Sequence, residues 1–272
     1  APVEGKTLKH PKIRISVPPH FFKDENKKNL PIEQQLERVA AWGAPAWEWL
    51  NPEGDIDAIR RKSDELGIVP SCIIGIGAIK PRQMVDATDH DRLEQQFRER
   101  IELAKRLGCK RLVGLSGNTD PNQSYERQMA NIVTCLKRVA SIAADNDVTI
   151  VMEALNPLVD HEGYFMTRTD QTMEILQAVD HPNVKMLFDI YHQQITEGNV
   201  IRNLTRNIDR IGHFHVADNP GRHQPGTGEL NYANIFKAIA ETDYDGFVAL
   251  EFGPTGTADE ALAAVADCLA KA

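Results

Sequence analysis

Short apolar runs alternate with longer amphipathic stretches along the whole chain, and this alternation constrains the fold more than any other feature of the sequence. A run of four to eight apolar residues is typical of a buried strand, whereas apolar residues spaced by three and four are typical of a helix packed on one face. Strands that alternate with helices form parallel sheets, because each helix returns the chain to the edge where the previous strand began. The pattern therefore predicts an α/β protein.

The predicted strands are Ile13–Val17, Ala46–Leu50, Ile68–Ile74, Arg111–Leu115, Thr149–Ala154, Val184–Phe188, Ile211–Val216 and Gly246–Phe252. The predicted helices are Ile32–Trp42, Ile56–Leu66, Asp91–Leu107, Ser124–Asn146, Thr169–Val179, Gly198–Ile208, Tyr232–Glu241 and Ala258–Ala270. This strict alternation, with no shift in composition, predicts a single (β/α)8 TIM barrel over residues 1–272, with residues 1–11 as an extended arm. A doubly wound sheet is the alternative.

Composition narrows the class of partner. The net charge of −8 disfavours nucleic acid, because binding its backbone requires a basic face. No apolar run reaches the roughly 18 residues that span a bilayer, so no membrane partner is expected. The cysteines have no metal-site spacing and are expected to be reduced and mostly buried. We expect a cytoplasmic enzyme with a small-molecule substrate; a homo-oligomer and an export signal removed before Ala1 are left open.

Four successive strands are predicted to end in residues that bind cations. Glu153 closes "VTIVMEALNP", Asp189 closes the apolar part of "VKMLFDIYH", His215 lies in "IGHFHVAD", and Glu251 closes the strand of "GFVALEFGP". A carboxylate at the end of a buried run is costly unless it is paired, protonated or bound to a cation. In a barrel these strand ends meet at one face, so the set predicts a site for Mg²⁺, Mn²⁺ or Zn²⁺.

Each of these residues also has a plainer interpretation. Salt bridges with Arg222 or Lys185 are the alternative to a metal, and Arg222 is alternatively paired within its own loop, with Asp218 or Glu229. Glu48, at the end of the second strand, is expected to be structural, with a role in substrate binding as the alternative. His213 is expected to be a packed or supporting histidine on the same strand face as His215. His20 and His161 lie in loops on the same predicted face.

The segment "PGTGEL", at residues 225–230, contains two glycines where barrels often bind phosphate, after strand seven. Two glycines without a neighbouring Lys or Ser are a weak phosphate signal. We interpret them as turn residues ahead of a helix that starts near Asn231.

Several motifs resemble one enzyme family. They are "EALNP" at 153–157, "GYF" at 163–165, "FDIYHQQ" at 188–194 and "GRHQPGTGELNY" at 221–232. Through them the chain resembles the hydroxypyruvate isomerase branch of the xylose isomerase-like barrel superfamily, which also contains the ketose 3-epimerases. The opening segment "IRISVPPHFF" is not part of the resemblance.

The resemblance implies a function and a role for each site residue. Glu153, Asp189, His215 and Glu251 would bind a divalent metal, Glu153 and Glu251 would be the acid–base pair, and His192 and Arg222 would bind the substrate. The implied reaction is proton transfer through an enediolate, most simply between hydroxypyruvate and tartronate semialdehyde. The alternative is a ketose 3-epimerase or another sugar isomerase on the same metal site, because the epimerases have histidine at the position of His215.

Overall fold

The part of the chain that the computed structural model describes, residues 2–272, contains nine parallel strands and nine α-helices, which alternate except for one pair of consecutive strands, within residues 69–76, and one pair of consecutive helices, within residues 190–206. Ala1, where the predicted arm begins, lies outside this range. The strands are β1 (Arg14–Val17), β2 (Ala46–Trp47), β3 (Val69–Pro70), β4 (Ile73–Ile76), β5 (Arg111–Gly114), β6 (Thr149–Glu153), β7 (Val184–Asp189), β8 (Ile211–Val216) and β9 (Phe247–Leu250). Their order in the sheet is β3-β2-β1-β9-β8-β7-β6-β5-β4.

Eight of the nine described helices correspond to predicted ones. The nine are α1 (Ile32–Ala41), α2 (Ile56–Leu66), α3 (His90–Leu107), α4 (Tyr125–Asp145), α5 (Thr169–Val179), α6 (Ile190–Thr196), α7 (Val200–Arg206), α8 (Tyr232–Ala240) and α9 (Ala258–Leu269), of which α6 was not predicted. Short 3-10 helices occur at Pro19–Phe21, Ala87–Asp89 and Ile208–Arg210. The predicted α/β class with a parallel sheet is confirmed.

The predicted count of eight strands is wrong by one, because the third predicted strand is two short strands. Val69 in β3 pairs with Ala46 in β2, whereas Ile73 in β4 pairs with Leu112 in β5. The segment therefore changes its hydrogen-bonding neighbour between residues 70 and 73. Pro70 contributes to this break, since it has no N–H to donate to a neighbouring strand.

By its internal contacts the described chain divides into two compact units. The first unit comprises residues 2–71, Val200–Ile208 and Phe214–Ala272, and the second comprises Cys72–Asn199 and Asp209–His213. The single-domain organisation stays a prediction.

In the first unit, helices α1 and α9 are joined by a partly buried polar contact. Asp259, in the first turn of α9, accepts hydrogen bonds from the Trp42 indole N–H at 2.8 Å and from Arg38 at 2.6 Å. Partial burial alone would raise the pKa of Asp259, but these hydrogen bonds outweigh it and hold that pKa below its ordinary value. Leu36 and Val39 of α1 are fully buried, so this unit has its own apolar core.

In the second unit, the core lies between β4–β7 and helices α3–α5. Leu112 pairs with Ile150 and Met152 with Met186, and all four side chains are at most 1% exposed. The cysteines are free thiols, and burial raises the pKa of Cys135 to about 12, as expected for inert packed residues. Within residues 2–272, the structure contains no helix with the length and hydropathy of a membrane span.

A glycine after β4 provides a stability test. Gly77 has φ 81°, and a Cβ there would overlap the Leu115 carbonyl oxygen. Gly67 has φ 67° with nothing within 4 Å of an added Cβ, so it is a matched control. Gly67→Ala should cost only the left-handed penalty of about 1–2 kcal/mol. Gly77→Ala should cost about 1–3 kcal/mol more through overlap. Urea unfolding measures both, and equal losses would contradict the argument.

Candidate active site

The second unit supplies two of the four predicted metal ligands from neighbouring strands. Glu153 is the last residue of β6 and pairs in register with Leu187 of β7, two residues before Asp189. Both carboxylates are buried, at 6% and 2% exposure. Asp189 also caps α6, because its Oδ1 accepts the backbone N–H of His192 at 3.0 Å.

The first unit supplies the other two predicted ligands. His215 in β8 pairs with Ala249 in β9, and Glu251 follows the last residue of β9. The backbone N–H of Glu251 donates to the carbonyl of Val216 at 2.9 Å, which continues the strand pairing to the site. Nδ1 of His215 lies 3.1 Å from Oε2 of Glu251. An imidazole nitrogen and a carboxylate oxygen that face each other at this distance are suited to sharing a cation.

In the second unit, a carboxylate oxygen of Glu153 lies within 4.8 Å of one of Asp189, and in the first unit His215 and Glu251 present a nitrogen and an oxygen within the same distance of each other. Three carboxylates and one imidazole are a donor set that Mg²⁺, Mn²⁺ and Zn²⁺ accept. The residues present therefore fit a divalent cation. That they bind one, and which one, stays a prediction.

The contact that Glu48 makes with His215 was not predicted from the sequence. Its Oε1 lies 2.8 Å from Nε2 of His215, and its Oε2 accepts a hydrogen bond from Ser71 at 2.7 Å. Its expected structural role therefore includes direct contact with a predicted metal ligand. The available sequence signal was its position, since an acidic residue closing a short apolar run resembles the other four strand ends.

Arg222 pairs with a carboxylate outside its own loop. Its Nη2 lies 2.6 Å from Oε2 of Glu251. The contact is half-buried on both sides, at 29% exposure. It is also the salt bridge that the sequence offered as the alternative to a metal. The other partner considered, Lys185, donates instead to a backbone carbonyl.

The loop that presents Arg222 is organised by Asp218, which is fully buried. Its Oδ2 accepts the backbone N–H groups of Gly226 and Gly228 at 2.9 Å, and its Oδ1 accepts those of Asn219 and Leu230. The N–H groups of the "PGTGEL" segment thus surround a carboxylate of the protein itself. This agrees with the interpretation of that segment as a turn, and α8 begins at Tyr232 after the cap Asn231.

His192 is held in one orientation by Asn156. The Asn156 side-chain oxygen accepts the N–H groups of Val159 and Asp160, so its amide nitrogen faces His192 Nδ1 at 2.7 Å. Nδ1 is therefore an acceptor, and the hydrogen of the neutral ring is on Nε2. His192 is fully buried, and its Nε2 lies 3.6 Å from Oδ2 of Asp189. The ring can thus present an N–H donor beside a predicted metal ligand.

Loop residues considered in the sequence lie near these groups. The ring of His161 is 5.2 Å from that of His192. In the first unit, His20 lines a cavity of about 280 Å³ together with Glu48, Trp49 and Glu251. The volume suits a small substrate.

The sequence and the fold identify the family of this protein. The sequence matches the family model of the xylose isomerase-like TIM barrels over residues 36–271, so the chain belongs to that family. The predicted barrel fold is thereby confirmed.

Within that family the similar relatives are isomerases. The chain is 36% identical to the hydroxypyruvate isomerase of Escherichia coli K12 over 173 residues, 62% of this chain and 67% of the relative. It is also 36% identical to the 2-oxo-tetronate isomerase of Cupriavidus necator over 154 residues, 57% of this chain and 59% of that protein. These likenesses identify the chain as an isomerase, as predicted.

A solved structure extends the likeness of the fold to nearly the whole chain. The family 2 AP endonuclease from Brucella melitensis superposes with a TM-score of 0.82, covering 92% of this chain and 97% of that one. At 23% identity, this likeness concerns the fold alone.

Replacing Asp218 should loosen the loop of Arg222. In Asp218→Asn only one side-chain oxygen remains to accept hydrogen bonds. One of the two pairs of backbone N–H groups, the pair on Oδ1 or the pair on Oδ2, therefore loses its acceptor. Hydrogen bonds to a charged group are worth about 1.5–3 kcal/mol, so the released amides should exchange roughly 10- to 100-fold faster. Hydrogen exchange at Gly226, Gly228 and Leu230 measures this, with Glu229→Gln in the same loop as control. Unchanged protection of all these amides would show that Asp218 does not hold the loop.

Proposed function

We propose that the protein is a metal-dependent isomerase of small 2-oxo-3-hydroxy acids, with hydroxypyruvate and tartronate semialdehyde as its substrate and product. The pairing of Arg222 with Glu251 is the structural observation that favours this proposal. It keeps a guanidinium in contact with a candidate acid–base carboxylate, where the carboxylate of a small acid could be bound next to the reacting carbon. The relatives named for hydroxypyruvate and 2-oxo-tetronate support the same class of substrate.

The reaction moves one proton between adjacent carbons. A base removes a proton from C3 of hydroxypyruvate, and the C–H electron pair forms the C2–C3 double bond of an enediolate. The hydroxyl proton on O3 moves to O2, and an acid returns a proton to C2, which leaves an aldehyde at C3. Atoms and charge balance without a further reactant. The main energetic cost of the reaction is the negative charge that develops on the enediolate oxygens.

Glu153 and Glu251 are proposed to share the proton transfers. Each is a carboxylate at a strand end, and a positioned carboxylate base contributes roughly 10² to 10⁴ in rate. In the proposed site Arg222 binds the carboxylate of the substrate, and His192 donates from Nε2 to a substrate oxygen. The tautomer set by Asn156 supports that second role.

The proposed metal ligands are Glu153, Asp189, His215 and Glu251. When bound, a divalent cation there would stabilise negative charge on the substrate oxygens by several kcal/mol. Mg²⁺ or Mn²⁺ suits three carboxylates and one imidazole, and Zn²⁺ is the alternative.

The alternative that the sequence left open is a ketose 3-epimerase. Such an enzyme would return the proton to the opposite face of the same carbon. The similarity to a 2-oxo-tetronate isomerase adds a longer acid as a second candidate substrate. Assays with hydroxypyruvate, 2-oxo-tetronate and a free ketose, each with added Mn²⁺, separate the three. Turnover of the ketose alone would overturn the proposal.

Removing either proposed acid–base carboxylate should abolish turnover. Glu153→Gln and Glu251→Gln preserve size while removing the base, so kcat on hydroxypyruvate should fall by at least roughly 10²-fold. Glu102→Gln, an exposed position on α3, is the matched control. Circular dichroism checks that each variant is folded. A folded variant with wild-type kcat would remove that glutamate from the chemistry.

Arg222→Ala should weaken binding of an acidic substrate specifically. Losing hydrogen bonds from a charged group costs about 1.5–3 kcal/mol, so KM for hydroxypyruvate should rise roughly 10- to 100-fold. Arg61→Ala, an exposed arginine on α2, controls for the loss of one positive charge. An uncharged hydroxyketone of the same size, tested as an inhibitor, should bind equally to the wild type and to Arg222→Ala. Equal losses for both ligands would contradict carboxylate recognition.

A further inference from the structure

We propose that Glu48 is a positioning residue that fixes the ring of His215 with Nδ1 as its metal-binding nitrogen. This inference rests on the proposed metal site and deepens it. It assigns a function to a strand-end carboxylate that the proposed chemistry does not use.

The argument begins with a chain of buried hydroxyl groups. The Ser16 hydroxyl donates to Ser71 Oγ at 2.7 Å, and the Ser71 hydroxyl donates to Glu48 Oε2 at 2.7 Å. Both serines are fully buried and Glu48 is 3% exposed. Because Ser71 uses its one hydrogen on Glu48, that carboxylate is held as an acceptor.

The second oxygen of Glu48 determines the tautomer of His215. Glu48 Oε1 lies 2.8 Å from Nε2 of His215, which is fully buried. An ionised carboxylate only accepts hydrogen bonds, so Nε2 must carry the hydrogen. In the neutral ring the lone pair then lies on Nδ1, the nitrogen that is 3.1 Å from Glu251 Oε2. The contact thus aims the metal-binding lone pair at the neighbouring proposed ligand.

Such a contact has a measurable effect on metal affinity. An imidazole that donates its second N–H to a carboxylate is held in one orientation and is a stronger base, and removing that partner typically lowers metal affinity 10- to 100-fold. Without Glu48, the hydrogen of His215 could occupy either nitrogen. The geometry therefore places Glu48 in control of metal affinity through its contact with His215.

The test is Mn²⁺ binding by chelator-treated protein, followed by the electron paramagnetic resonance signal of free Mn²⁺. Glu48→Ala should bind Mn²⁺ roughly 10- to 100-fold more weakly than the wild type. Glu48→Gln retains an oxygen that accepts from Nε2, so it should recover most of that loss. Asp259→Ala, which removes another hydrogen-bonded carboxylate of the first unit, is the control and should bind like the wild type.

Nitrogen-15 NMR of the wild type with added Mg²⁺, which is diamagnetic, provides a readout that needs no variant. The resonances of His215 should show a protonated Nε2 and a metal-bound Nδ1, and metal on Nε2 would overturn the inference even if Glu48→Ala failed to fold. If the wild type bound Mn²⁺ and folded Glu48→Ala bound it with the same affinity, the proposed role of Glu48 would be overturned and the proposed metal site would stand. A wild type that bound no Mn²⁺ would instead overturn the metal site itself, and this inference with it.

Discussion

A carboxylate taken out of water must be compensated where it lies, and this constraint determines how the strand ends of this protein are built. Asp218 is compensated by four backbone N–H groups, Glu48 by Ser71 and His215, and Glu251 by Arg222. The groups that compensate each carboxylate also fix the conformation of the segment to which they belong. The geometry of the polar site and the conformation of the backbone around it are therefore stabilised by the same interactions.

The sequence predicted the fold well because the signal is local. Apolar runs and amphipathic stretches define strands and helices within windows of a few residues, and β8 was predicted with its exact bounds. The break between β3 and β4 was missed because it depends on which strand each half pairs with, and pairing is not local. The short helix α6 was missed for a related reason: it is started by the side chain of Asp189, which was interpreted as a ligand alone.

The candidate site was predictable in its residue types and less so in its contacts. Strand-end position was enough to select Glu153, Asp189, His215 and Glu251 as a set. It offered Arg222 as a salt-bridge partner for this set but did not predict that the partner would be Glu251, 29 residues away, because a loop that turns at left-handed residues can direct a side chain to several partners. Nor did it predict that Glu48 faces His215 across 167 residues of chain. Such pairings follow from the tertiary fold and from the need to neutralise buried charge.

The carboxylate at the centre of the "PGTGEL" turn has an evolutionary consequence. In many barrels the loop after the seventh strand offers its amides to a phosphate group. Here Asp218 already occupies those amides with a negative charge of the chain's own. A descendant that came to act on sugar phosphates through this loop would first have to lose Asp218, and with it the geometry that presents Arg222. The four amides that Asp218 holds are therefore not available to a phosphate group.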